Sequence, residues 1–183
     1  MKKALILFAD GMEECEGLIV VDLLRRAHVE VDIVSITDQE VITSSHGIRL
    51  YCDTLIDHVD FSQYDMLILP GGMPGTTNLK ENNVVREQIR QFNESGRKVA
   101  AICAAPSVFA DVGILEGKRA TVHPNFRDDM QGAELVNEEV VIDGNITTSW
   151  GLGGAIPFGL ELARQLTDAD TVNKIRSAIG YIH

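Results

Sequence analysis

The 183-residue sequence predicts an α/β fold, a mostly parallel sheet with helices on both faces. Three observations carry this. Short, wholly apolar runs recur: Ala4-Leu5-Ile6-Leu7-Phe8, Met66-Leu67-Ile68-Leu69 and Val99-Ala100-Ala101-Ile102. Strands covered on both faces read this way, without polar alternation. The runs are separated by helical patterns, and strand–helix–strand order gives parallel pairs with right-handed crossovers. Hydrophobic residues make up 45% of the chain, enough for one sizeable core. No repeat, linker or low-complexity segment divides it, so residues 1–183 read as a single domain.

Lys3 to Phe8 is the first strand, broken by Asp10-Gly11. Glu13-Glu14-Cys15-Glu16 opens a helix running to Arg26 or Ala27, with acids at its start and Arg25-Arg26 at its end. Its apolar residues exceed one face, which predicts cover from the sheet and from a second subunit. Val31 to Val34 is the next strand. Val41-Ile42-Thr43 and Ile48-Arg49-Leu50-Tyr51 form a hairpin around the polar tip Ser44-Ser45-His46-Gly47. Met66 to Leu69 ends at Pro70-Gly71-Gly72-Met73-Pro74-Gly75. Asn82 to about Glu94 is an amphipathic helix with Val85, Ile89 and Phe92 inward. Ala120-Thr121-Val122 leads to His123-Pro124, and Asp143-Gly144 marks a hairpin between Val140-Val141-Ile142 and Asn145 to Thr148. Two helices close the chain, one ending near Leu166 and one from about Ala169 to Ile179.

The stretch Lys98 to Pro106 carries the chemistry. A buried strand stops at Cys103 and turns at once into a helix. Ala104 and Ala105 are small enough for a sharp reversal, and Pro106 suits a first helical turn. Cys103 thus sits at a strand-to-helix corner, the geometry of a nucleophile elbow. The helix N-terminus is expected to lower the thiol pKa from ~8.5 toward ~3.5–7.5. In parallel sheets sites form at the carboxyl ends of strands. The loops after Phe8, Leu69, Ile102 and Val122 should therefore gather Glu13 to Glu16, Gly71-Gly72, Cys103 and His123 at one edge. Gly71 and Gly72 offer backbone N–H groups to a bound oxygen, as does Ala104 at the helix start. The alternative for Pro70-Gly71-Gly72 is a plain turn. His123 pairs with Cys103 as a proton carrier; taken alone it is a loop histidine beside a proline. Glu16 beside the sulfur would hold its proton and act as acid and base, where a first-turn glutamate otherwise only complements the helix dipole. Cys15 and Cys52 read as spectators. Trp150 fills a gap or walls the pocket.

Composition sets limits. Net charge is −11, which argues against nucleic acid or an anionic membrane surface as main partner. No stretch is apolar enough to span a bilayer. Three cysteines without zinc-type spacing favour a reducing, cytoplasmic setting.

Taken together, Asp10-Gly11-Met12-Glu13-Glu14-Cys15-Glu16, Leu69-Pro70-Gly71-Gly72, Ala101-Ile102-Cys103-Ala104-Ala105-Pro106, Thr121-Val122-His123-Pro124 and the weaker Thr148-Ser149-Trp150-Gly151-Leu152-Gly153 resemble the DJ-one/ThiJ/PfpI superfamily, its DJ-one branch in particular. The resemblance implies a flavodoxin-like three-layer sandwich of the class I glutamine amidotransferase-like kind, and a homodimer. It implies a reactive Cys103 hydrogen-bonded to a protonated Glu16, with His123 nearby and oxyanion N–H groups from Gly72 and Ala104. It implies no cofactor and no metal, and a thiol readily oxidised to sulfinate. Activities attributed to the family are conversion of methylglyoxal or glyoxal to a hydroxy acid, protein deglycation, redox sensing and chaperoning; older labels are thiamine thiazole phosphate biosynthesis and protease. Ala104 stands where protease-like branches place a histidine, which argues against a peptidase. Trp150 and His46 stand where the branch usually has arginine, which favours a small neutral carbonyl over an anionic substrate.

Overall fold

The computed structural model describes residues 1–181. Three apolar runs and one mixed strand become the parallel centre of the sheet: β1 (Lys3–Phe8), β2 (Glu30–Ser35, the mixed one), β6 (Met66–Leu69) and β7 (Lys98–Ile102). Between β2 and β6 lie β3 (Val41–Thr43), β4 (Arg49–Tyr51) and β5 (Thr54–Leu55). The later strands are β8 (Arg119–Ala120), β9 (Glu134–Leu135), β10 (Val140–Asp143) and β11 (Ile146–Ser149). The main sheet runs β10-β11-β7-β6-β1-β2-β5. All its neighbours are parallel except β10 on β11, the hairpin that Asp143-Gly144 closes. The predicted β3–β4 hairpin forms, but as a separate two-stranded sheet.

The helices are α1 (Glu14–Arg26), α2 (Gly75–Glu81), α3 (Asn83–Glu94), α4 (Pro106–Val112), α5 (Ala155–Leu166) and α6 (Ala169–Ala178). Alternation along β1 sorts them into two layers. Ala4, Ile6 and Phe8 point into a core shared with α1, α5 and α6. Leu5 and Leu7 point the other way, into a core with Leu79 of α2, Val85, Ile89 and Phe92 of α3, and Phe109 of α4. Each large side chain taken out of water here contributes about 1.5–3 kcal/mol. The first layer is tight: a methyl group at Gly159 would lie 2.7 Å from Leu23 Cδ1, so a larger residue there would push that side chain aside. The result is a flavodoxin-like three-layer sandwich, as the sequence predicts.

Two expectations need correction. Helix α2 is absent from the sequence reading, because its buried positions, Gly75, Thr76 and Leu79, carry too little apolar signal to show a period. The segment before His123 is not a strand of the main sheet. Only Arg119–Ala120 is extended, and it pairs with β9. His123 reaches the sheet edge through the main chain, its N–H donating to Cys103 O at 2.9 Å. No helix among the described residues is long and apolar enough to cross a membrane.

Candidate active site

Strands β1, β6 and β7 end together, and the site is built on the three turns that follow. Cys103 leaves β7 with φ +65°, a left-handed conformation that costs a non-glycine residue about 1–3 kcal/mol. Its neighbours hold it there: its N–H donates to Ser149 O at 2.9 Å, and its carbonyl accepts from His123. Pro106 then opens α4, as expected. The corner projects the half-buried sulfur out of the sheet edge.

Glu16 meets it from α1. Glu13 caps that helix, its Oε2 accepting the Glu16 N–H at 2.6 Å, which orients the first turn. The Glu16 side chain is only 1% exposed. Its Oε2 accepts the Gly71 N–H at 3.1 Å, and the Leu152 N–H and the Cys103 thiol lie near enough to the same carboxyl to favour its charged form. On the other side, the N–H groups of Gly72 and Ala104 lie near enough to the Cys103 sulfur to favour its charged form. Glycine is required in this turn. A methyl group on Gly71 would lie 2.5 Å from Cys103 Cβ, and Gly72 has φ +89° with Glu13 N 2.3 Å from where its Cβ would be. Gly71 and Gly72 therefore divide the roles expected of both: Gly71 serves the carboxyl and Gly72 the sulfur.

The electrostatics run opposite to the expectation for the thiol. Burial raises Glu16 from 4.5 to about 7, against the opposing hydrogen bonds from Cys103, Gly71 and Leu152. Burial, and then the nearby Glu16 charge, push the Cys103 thiol up to about 12, although the Ala104 and Gly72 amides pull it down. The short α4 does not outweigh an acid in direct contact. Burial raises both groups; the Glu16 charge lifts the thiol further, while the thiol beside Glu16 lowers that carboxyl. One charge is well served: two amides face the sulfur and two face the carboxyl, so it can rest on either atom.

His123 approaches from the third side. Its Nδ1 accepts the Asn125 N–H at 3.3 Å, which assigns the ring proton to Nε2, and its ring meets Phe126 edge-on. A methyl-sized probe at Gly151 would lie 3.4 Å from His123 Cδ2, 3.8 Å from Cys103 Sγ and 3.9 Å from Glu16 Oε1. All three predicted side chains thus converge on one small spot. The Trp150 indole lies beside Gly154 at the start of α5, its Nε1 3.1 Å from where a methyl group on that glycine would stand. The sequence reading missed the parts played by Gly151, the Leu152 amide and the Ser149 carbonyl. Their only signal was a glycine-rich run, which reads equally as a helix start. Cys52 is buried and pushed up to about 12 by burial, and exposed Cys15 is raised by burial and the acids around it; neither has the amide cradle of Cys103.

Comparison with known proteins agrees with this geometry. Residues 2–165 match the model of the DJ-1/PfpI family. The chain is 33% identical over 180 residues to the protein dj-1beta of Drosophila melanogaster, covering 97% of this chain and 96% of the relative. It is 36% identical over 150 residues to a Thermococcus kodakarensis protein named a deglycase, covering 80% and 89% respectively. With the DJ-1 homolog B of Arabidopsis thaliana it shares 38% identity over 167 residues, spanning 90% of this chain but 38% of that longer protein. The solved structure of oxidized Toxoplasma gondii DJ-1 superposes with a TM-score of 0.96 at 32% identity, with both chains fully covered. Fold, corner and sequence converge: the chain belongs to the DJ-1/PfpI family, on its DJ-1 branch.

Proposed function

We propose that this chain is a cofactor-independent, cysteine-dependent enzyme acting on small reactive carbonyls, converting methylglyoxal or glyoxal to the hydroxy acid. One observation carries the reading: Cys103 Sγ and the buried Glu16 carboxyl sit side by side, with separate amides turned toward each. Ionised Glu16 takes the thiol proton as sulfur adds to the aldehyde carbon. The new oxyanion takes that proton back, giving a hemithioacetal. Glu16 then removes the hydrogen from that carbon and returns a proton to the neighbouring one, which turns the adduct into a thioester. Water hydrolyses the thioester, releasing the acid and restoring the thiol. The sum is ketoaldehyde plus water to hydroxy acid, with no change in the enzyme. His123, its Nε2 proton fixed by the Asn125 contact, is the second proton carrier. The deglycase name of the Thermococcus relative supports carbonyl chemistry.

Proton nuclear magnetic resonance of the purified chain with methylglyoxal tests this. Lactate should accumulate, and both Cys103→Ser and Glu16→Gln should abolish it. No lactate above the Cys103→Ser background would overturn the reading.

A second reading is a redox sensor, in which Cys103 is oxidised to sulfinate. The oxidized state named for the Toxoplasma relative and the amides around the sulfur favour it. Mild peroxide should then add two oxygens to Cys103 alone; equal oxidation of Cys15 would count against it. We also propose a homodimer in a cytoplasmic setting. Leu18 is exposed, and with Ile19, Leu23, Ile156 and Ile179 it lines an apolar recess of about 310 Å³ on the α1–α5 face, suited to a second copy.

A further inference from the structure

A recess of about 100 Å³ opens between α2, α4 and the segment after His123. It is lined by Met73, by Thr76 and Lys80 of α2, by Ser107 of α4, and by Phe126 and Asp129. Three of these residues lean on the site itself. Met73 directly follows Gly72, whose N–H lies near the Cys103 sulfur. Ser107 Oγ donates at 2.7 Å to the carbonyl of Ala104, the residue after Cys103. The Phe126 ring meets that of His123 edge-on, with centroids 6.1 Å apart. The recess therefore flanks the carbonyl site.

Its polar groups point to a ligand. Thr76 is 3% exposed, yet its Oγ1 has no hydrogen-bond partner among the described residues. A buried hydroxyl left unpaired is costly, and most buried polar groups are satisfied. The residue is held in place, since its N–H donates to Gly72 O at 2.9 Å. Ser107 is 4% exposed; it gives its proton to Ala104 O and keeps lone pairs for another donor. The charges disfavour an anion. Lys80 Nζ is already paired with Asp111 Oδ1 at 3.0 Å, and the Asp129 carboxylate stands in the wall. At roughly 30 Å³ for each water-sized group, the recess holds a short tail of about three such groups.

We infer that this recess is a specificity subsite, in which Thr76 Oγ1 and Ser107 Oγ hydrogen-bond a neutral, hydroxyl-bearing tail of the substrate. The preferred substrates are then ketoaldehydes with one or two hydroxyls beyond the dicarbonyl, and methylglyoxal is a smaller substrate that leaves the recess unused. The inference rests on the carbonyl reading of Cys103 and Glu16. It leaves the chemical step as it is: ketoaldehyde plus water gives the hydroxy acid.

Comparison of kcat/KM for 4,5-dihydroxy-2-oxopentanal and 2-oxopentanal tests the inference, because the two share a carbon chain and differ only in two hydroxyls. Wild type should favour the dihydroxy compound about tenfold, since a site built to pair a hydroxyl discriminates against the analogue lacking it. Thr76→Val keeps the side-chain shape and should bring the ratio close to one, whereas Thr76→Ser should retain it. Ser107→Ala, which leaves Thr76 in place, should lower the ratio as well. A merely structural role for Thr76 would slow both substrates together and leave the ratio unmoved. A wild-type ratio near one, a ratio unchanged in Thr76→Val, or turnover of methylglyoxal but of neither five-carbon compound would overturn the subsite alone. Turnover of none of the three would overturn the carbonyl reading together with it.

Discussion

Replacing Glu16 by glutamine isolates the cost of burying an acid. The carboxyl lies 1% exposed among the sulfur and two amides, and burial raises it from 4.5 to about 7. The folded chain therefore holds a proton at pH values where the unfolded chain has released it. Stability from this group is fully present below about pH 4.5 and is lost as pH rises toward 7. At ~1.4 kcal/mol per pH unit, the displacement amounts to about 3 kcal/mol. Glutamine keeps an oxygen for the Gly71 N–H and cannot ionise. The stability of Glu16→Gln relative to wild type should thus climb by about 3 kcal/mol between pH 4.5 and pH 8. For a chain of this size that is roughly 6–12 °C in melting temperature. Urea unfolding of both proteins at matched pH values measures it, and taking the difference cancels the other titrating groups. A difference that stays constant across this range would refute the argument, since Glu16 would then titrate as an ordinary surface acid.

Two further outcomes follow from the same geometry. Gly71→Ala places a methyl group 2.5 Å from Cys103 Cβ and 2.7 Å from Glu16 Oε2, so it should cost about 1–3 kcal/mol in urea unfolding and lower lactate formation at least tenfold. Asn82→Ala removes the cap of α3, whose Oδ1 accepts from Val84 N at 2.9 Å and Val85 N at 3.1 Å; about 1 kcal/mol of stability should be lost while the rate of carbonyl conversion is unchanged.

The sheet was legible because β1, β6 and β7 carry unbroken apolar runs separated by helical patterns. The corner was legible because Cys103 stands between an apolar run and Ala104-Ala105-Pro106, a sequence with few backbone options. Glu16 and His123 were legible as members of the site, since loops at the carboxyl ends of parallel strands must meet. Helix α2 was not, because its start, Gly75-Thr76-Thr77-Asn78, offers no apolar period. The pKa of the thiol was not either. Local reasoning sees only the helix after Cys103, which pulls the value down. The opposing influences are burial and the charge of Glu16, and Glu16 is itself fixed by Gly71, 55 residues further along the chain. Such couplings arise only once the chain has folded. The position of Trp150 likewise depends on the close approach of Gly154, which nothing in its own neighbourhood announces.

The rate of Cys103 alkylation by iodoacetamide as a function of pH tests the proton-sharing pair most directly. Unassisted, the wild-type thiol ionises only near 12; base assistance by Glu16, which takes the thiol proton as sulfur attacks, should instead place the rise with a midpoint near 7. In Glu16→Gln the midpoint should move above 9, because burial still opposes the thiolate and no base is left beside it. Equal midpoints in the two proteins, or a wild-type rate that rises only above pH 9, would contradict the account.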